Sequence, residues 1–318
     1  MIYTEGIFGL CVNKEVDYGS GEKMVSWSQY TKYRKCPKSW ELKYIHKHKL
    51  PSDSIHLIYG TAMHEVIQTY LHTAYHETVK EANAMDLNTM LMNELSSEYK
   101  KAYEKSGIHF SSPEQLSEYY SYGIEIIEYL RKKRTRYFTT KNTKLIGIEM
   151  PIFTQPHEDF DKVKMQSFLD LVFYDKKWGE YLIVDIKTST KGWNKWKRKD
   201  KLSTDQIVLY KHYFCNMFNI NPKKVKVEYF ILRNKVDPDA MYPIPRISEF
   251  EPSNGSISMK RIHKDFLDFI EECFVGDGEY NIDREYPALK GRNDFNCTFC
   301  EYKDRHDLCP PENRISNV

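Results

Sequence analysis

The sequence predicts an α/β protein: a mixed central β-sheet flanked by helices, with a helical N-terminal part and a cysteine-rich C-terminal cap. Three observations carry this. Apolar residues recur at helical spacing within the first 140 residues. Their period falls to two between about 141 and 235. Three of the seven cysteines crowd into the segment 297–309. The expected organisation is a helical region over 1–140, a sheet-bearing core over 141–235, and a last helix with the cap over 236–318.

Residues 28–47 read as helical, opened by Ser28 as N-cap, with a break at Pro37 because proline blocks a helix interior. A second helix follows Gly60, where Met63, Val66, Ile67, Tyr70, Leu71 and Ala74 share one face. A third long helix covers about 114–137 and ends in the basic run 131–136. Ile146, Ile148, Met150 and Ile152 then alternate as a strand does. Residues 164–174 and 180–188 form two more strands, joined by a hairpin turn at 176–179. A helix at about 204–218, a strand at 225–233 and a helix at about 258–274 complete the reading.

With 41% hydrophobic and 29% charged residues over 318 positions, the composition is that of a soluble chain with a real core. No apolar run reaches the length of a membrane span, and the N-terminus lacks the pattern of a secretory signal, so a cytoplasmic location is expected and no membrane partner. An odd number of cysteines in such a chain argues against a disulfide framework.

The chemistry concentrates on the strands. Asp185 and Lys187 are two apart, so their side chains share a face. Pairing across the hairpin could bring Asp170 beside Asp185. Two carboxylates in mid-sheet repel unless a cation lies between them, and hard oxygen donors suit Mg²⁺ or Mn²⁺. Lys187 could then orient or deprotonate an attacking water. A D-x-K pair at a strand end is commonly a surface salt bridge only. Here the Asp lies within LIVDI, where an unpaired charge is costly.

Cys297, Cys300 and Cys309 supply three metal ligands in one loop, and Cys36, in YRKCPKSW, is the natural fourth. His306 lies inside the eight-residue gap before Cys309 and is an alternative ligand, so a zinc site remains open beside an iron–sulfur cluster. Cys11, Cys215 and Cys273 read as buried spare thiols. The segment after Lys187 holds Trp193, Lys195, Trp196, Lys197, Arg198 and Lys199, cations for phosphates and indoles for bases. The run 131–136 is either a second such patch or a favourable charge set at a helix C-terminus.

Taken in order, Gly60-Thr61-Ala62-Met63-His64, Asp170, Asp185-Ile186-Lys187 and Gln206-x-x-x-Tyr210 resemble the RecB-like branch of the PD-(D/E)XK nucleases. That branch includes nuclease domains of bacterial recombination helicases and CRISPR-associated adaptation exonucleases. The resemblance runs from about Tyr30 to Cys309. It implies a restriction-endonuclease-like core and a metal-dependent DNA nuclease, with exonuclease action on single-stranded or frayed ends. It also implies roles. His64, Asp170, Asp185 and the Ile186 carbonyl hold metal; Lys187 serves the water; Gln206 and Tyr210 lie near the scissile phosphate. Glu149 is a weaker candidate, and Asp185 stands where many relatives have Glu. In the iron–sulfur members, one N-terminal and three C-terminal cysteines hold a 4Fe-4S cluster. A rival reading is a catalytically inactive, cluster-bearing DNA-binding subunit of a helicase–nuclease complex; a weaker one is a zinc-stabilised interaction protein. No helicase motif is visible, so unwinding would come from a recombination or repair partner.

Overall fold

A computed structural model of the chain describes residues 11–12, 22–48, 50, 54–237 and 239–316. In chain order the elements are β1 (Cys11–Val12), β2 (Lys23–Val25), α1 (Trp27–Lys35), α2 (Pro37–Tyr44), α3 (Ile55–His76), α4 (Val79–Ala84), α5 (Leu87–Ser106) and α6 (Pro113–Tyr137). Then come β3 (Thr143–Thr154), β4 (Val163–Asp175), β5 (Glu180–Ser189), α7 (Lys201–Thr204), α8 (Gln206–Phe218), β6 (Val225–Arg233) and β7 (Ile247–Phe250). The C-terminal part holds α9 (Ser256–Cys273), β8 (Phe274–Val275), β9 (Glu279–Tyr280), β10 (Ala288–Leu289), α10 (Phe295–Thr298) and β11 (Arg314–Ile315). The predicted mixed sheet flanked by helices is present.

The chain forms two compact units, each assembled from separated segments. The first comprises Met1–Val16, Asp53–Pro151 and Phe168–Met259. Its strands follow the order β1-β3-β4-β5-β6-β7. The β4–β5 and β6–β7 pairs are antiparallel, whereas β1–β3 and β5–β6 are parallel. On one face of this sheet lie α3, α5 and α6. Their Tyr59, Met63, Leu91, Leu95, Ile126 and Ile127 are buried together with Leu171, Val184, Ile186 and Phe230 from the strands. Burying a side chain of this size contributes roughly 1.5–3 kcal/mol, so this layer is what holds α3 against β5. Gly123 lets α5 and α6 close up, since a Cβ there would lie 2.4 Å from Leu91 Cδ2.

The second unit comprises Asp17–Ser52, Ile152–Ser167 and Lys260–Val318. Trp40 is fully buried at its centre, edge-on to Phe269 at 5.8 Å and tilted against Tyr286 at 5.6 Å. Here β2 runs parallel to the start of β4, from Lys23↔Val163 to Val25↔Met165. Proline breaks the first helical segment as expected, but Ser26 rather than Ser28 is its N-cap, accepting from the Gln29 N–H. Among the expected spare thiols, Cys215 and Cys273 are buried, while the side chain of Cys11 lies outside the described residues. Among the described residues, no helix is long and apolar enough to cross a membrane.

One carboxyl of the first unit couples its stability to pH. Glu228 on β6 is half-buried, and burial first, then the charges of Glu249 and Glu251, push it up to about 7 from an ordinary 4.5. The folded state therefore holds a proton that the unfolded chain releases. That contribution is complete below about pH 4.5 and is lost as pH rises through 7. Glu228→Gln is expected to stabilise the protein at pH 8 by about 1–2 kcal/mol, a figure that allows for solvent screening at a part-exposed group, with little effect at pH 5. Thermal melts at the two pH values check this; an equal shift at both would refute it.

Candidate functional site

The hairpin 176–179 sets the register of β4 and β5, whose last rung toward the site is Leu171↔Val184. The next pair in that register is Asp170 and Asp185, the juxtaposition expected from sequence. There the Asp170 side chain takes over from the backbone ladder: its Oδ2 accepts from the Ile186 N–H at 2.6 Å. Lys187, two residues beyond Asp185 on the same face, puts its Nζ 2.8 Å from Asp185 Oδ2.

Helix α3 lies across these strands. His64 sits in its interior rather than at its head, because the helix starts at Ile55 under an Ser54 cap and runs through Gly60. His64 Nε2 is 2.8 Å from the Ile186 carbonyl oxygen, and Nδ1 is 3.6 Å from Asp170 Oδ2. A neutral ring with its proton on Nε2 donates to that carbonyl and turns the Nδ1 lone pair toward Asp170.

One turn further along α3, Gln68 does what no sequence pattern suggested. It is buried, and its Nε2 donates to Glu149 Oε1 at 2.6 Å and to the Asp170 carbonyl at 3.3 Å. Glu149 itself has φ of 49°, the left-handed region, in the middle of β3. A non-glycine residue there costs of order 1–3 kcal/mol, and such strain clusters at functional sites. Among the described residues, His64, Glu149 and Asp170 are the one set of three or more metal-type ligands whose donor atoms lie within 4.8 Å of one another.

Burial dominates the electrostatics. It pushes the Asp170 carboxyl up to about 7, with Lys187 opposing, and the Asp185 carboxyl up to about 6 against the same ammonium. Burial alone would lower Lys187, but Asp185 and Asp170 outweigh it and raise its pKa. His64 is lowered by burial and by the Lys187 charge, so its ring is neutral near pH 7. Asp185 Oδ2 is buried with no well-directed hydrogen bond, its Lys187 contact being an ion pair only. An unmet carboxylate oxygen beside a His–Glu–Asp set fits a divalent cation: His64, Glu149, Asp170 and Asp185 would hold it, with the Ile186 carbonyl at hand.

Helix α8 begins at Gln206, whose Nε2 donates to Tyr210 Oη at 2.9 Å, the two lying on one helical face. Tyr210 is near enough to Lys187 to act on it electrostatically.

Between β5 and α7 runs the basic loop. Trp196 is 69% exposed with Lys195 Nζ 5.0 Å from its ring, and Lys195, Lys197, Arg198 and Lys199 are all exposed. Trp193 is packed instead, 4.7 Å from Tyr229 and 5.9 Å from Phe250 between ring centroids. Gly192 makes the bend: its φ is 81°, and a Cβ would lie 2.7 Å from the Arg233 guanidinium that donates to the Lys191 carbonyl. In the run 131–136, Arg131 donates to the Met85 carbonyl and Arg134 to the Phe138 carbonyl, so both serve helix ends.

In the second unit, Cys36, Cys297, Cys300 and Cys309 all line one cavity of about 390 Å³, together with Lys32 and Arg314. His306 is exposed and does not line it. Cys36 ends α1 and precedes Pro37, and the Leu289 N–H donates to its sulfur at 3.3 Å. Burial raises the Cys36 thiol, and the N–H groups of Ser39 and Leu289 oppose this by favouring thiolate. No three of these sulfurs fall within 4.8 Å of one another.

The family described as PD-(D/E)XK nuclease superfamily matches residues 24–309. No curated protein matches the chain.

Proposed function

Because the chain belongs to the PD-(D/E)XK nuclease superfamily, we propose that it is a metal-dependent deoxyribonuclease that hydrolyses phosphodiester bonds at single-stranded or frayed DNA ends. The observation that carries this is the convergence of His64, Glu149 and Asp170 on one point beside the Asp185–Lys187 pair. A bound Mg²⁺ or Mn²⁺ supplies Lewis acidity toward the phosphate and a lowered pKa for water. The chain's own part is the rest. Gln68 fixes the Glu149 carboxylate, and the Ile186 N–H fixes that of Asp170. Lys187 holds its proton at Nζ, so it orients the attacking water and offsets phosphate charge; it is too basic to act as a free amine base. Gln206 and Tyr210 orient the phosphate. Trp196 offers a face for an unpaired base while Trp193 anchors the loop, and Lys195, Lys197, Arg198 and Lys199 take phosphates.

The four cysteines act as ligands of a 4Fe-4S cluster. A single zinc ion with Zn–S bonds of about 2.3 Å would need its sulfurs roughly 3.8 Å apart. The wider spread of thiols around a 390 Å³ cavity favours the larger group. Unwinding is left to a helicase or recombination partner.

The test is digestion of end-labelled single- and double-stranded DNA by anaerobically purified protein. Cutting is expected with Mn²⁺ or Mg²⁺ and none in EDTA, with a ladder that reports polarity. Protein that binds DNA with its cluster intact yet never cuts with either ion would make it a DNA-binding subunit instead.

A further inference from the structure

The far end of the sheet carries a charge pattern that the active site does not use. Strand β3 begins there, β4 turns into β5, and β6 begins. The three loops are tied together: the Lys176 N–H donates to the Asn142 carbonyl at 2.8 Å, and Lys224 Nζ donates to the Trp178 carbonyl at 3.1 Å. Lys141, Lys144, Lys176, Lys177, Lys223 and Lys224 are all exposed around this junction. The nearby carboxylates are occupied elsewhere. Asp175 accepts from the N–H groups of Lys177 and Trp178, and Glu180 pairs with Lys226 at 2.8 Å. None of the six lysines has an ion-pair partner among the described residues. Trp178 stands 60% exposed in their midst, with Lys177 Nζ 4.6 Å from its ring.

In a chain of net charge +2, six unpaired cations at one end of a sheet make a strong local field. Lysines take phosphates, and an exposed indole takes a base face. Surface insertion into a membrane needs several apolar anchors, and Trp178 is the one large exposed apolar residue in these loops. We propose that this end of the sheet is a second nucleic-acid contact, separate from the metal centre, that grips the phosphate backbone of the same DNA. The nature of the polymer rests on the nuclease reading above; the surface itself does not. Glu180 and Lys187 are seven residues apart along β5, roughly 23 Å, which corresponds to about seven base pairs of duplex at 3.4 Å each. Such a contact holds DNA while its end is cut.

The experiment measures equilibrium binding of a fluorescent 30-nucleotide DNA (about that length, to span both contacts) to the full chain in EDTA, over a range of KCl. Lys176→Gln/Lys177→Gln/Lys223→Gln is compared with Lys80→Gln/Lys100→Gln/Lys105→Gln, which removes equal charge from exposed lysines elsewhere. The first triple is expected to lose affinity about tenfold or more and to flatten the salt slope by roughly 2, at about 0.7 per lost phosphate contact. The control should change less than about twofold, and Trp178→Ala should lose about fivefold or more. Equal losses in both triples, or binding of the first triple's wild-type patch to anionic vesicles with DNA affinity intact on its removal, would overturn the proposal. Because EDTA binding needs no cleavage, DNA that is bound through this patch and never cut would count against the nuclease reading alone.

Discussion

Asp185→Ala or Asp185→Asn lowers the rate of DNA cleavage by at least about a thousandfold, some 4 kcal/mol of transition-state stabilisation, while DNA binding persists. Asp185 is the carboxylate that both faces the His64–Glu149–Asp170 set and neutralises Lys187. The two variants differ in stability. Both leave the Lys187 ammonium without its carboxylate, which costs about 3–5 kcal/mol in a buried pair, and alanine adds an empty space to that loss. Asparagine keeps the shape, and its melting curve separates lost chemistry from lost fold. Full cutting by Asp185→Asn with Mn²⁺ would remove Asp185 from the site. The same carboxyls give the reaction a pH signature. With Asp170 pushed up to about 7 and Asp185 to about 6, both hold protons at acid pH in the ion-free protein, and a cation must displace them there. The rise in Tm on adding Mn²⁺ should therefore grow from pH 5.5 to pH 8 and be smallest at the acid end. A shift that is flat across that range would mean the ion binds elsewhere.

Cys36→Ala is the second large effect. The variant is expected to lose iron, sulfide and visible colour together, and to melt about 10 °C or more below the wild type, since a structural metal group contributes several kcal/mol or more. Cys215→Ala and His306→Ala serve as references: Cys215 is buried in the other unit and His306 does not line the cavity, so both should keep full iron. Colourless wild-type protein carrying one zinc would sink the iron–sulfur assignment, whatever the mutants did.

Much of this was legible in the residues. The pairing of Asp170 with Asp185 follows from a four-residue turn between two alternating runs, because hairpin geometry fixes register. The run VKVEYFILR at 225–233 forms a strand over the same residues, Val225–Arg233. Less regular signals were missed. Helix α5 carries only Leu87, Leu91, Leu95 and Ala102 as buried residues among polar ones, too thin a stripe to stand out. Its caps, Asp86 and Gly107, were the readable signs. Gly60 looked like a helix boundary, yet Ser54 and the apolar run after it start the helix a turn and a half earlier. Gln68 carries no charge and attracts no motif, but its place four residues after His64 puts it on the same face. The backbone of Glu149 could not be read at all, because left-handed geometry at a glutamate comes from the surrounding packing and not from local preference.

The second unit is sewn from three stretches of chain, the first near the N-terminus and the last ending at Val318. A ribosome adding about 5–20 residues per second exposes Cys36 long before it makes Cys309. Cys309 follows Cys36 by 273 positions, which take roughly 14–55 seconds to synthesise. For that interval Cys36 is without the three cysteines that line its cavity. The first unit meets a shorter delay, because its last segment closes at Met259. The first unit can thus close before Cys309 reaches the cavity that Cys36 lines.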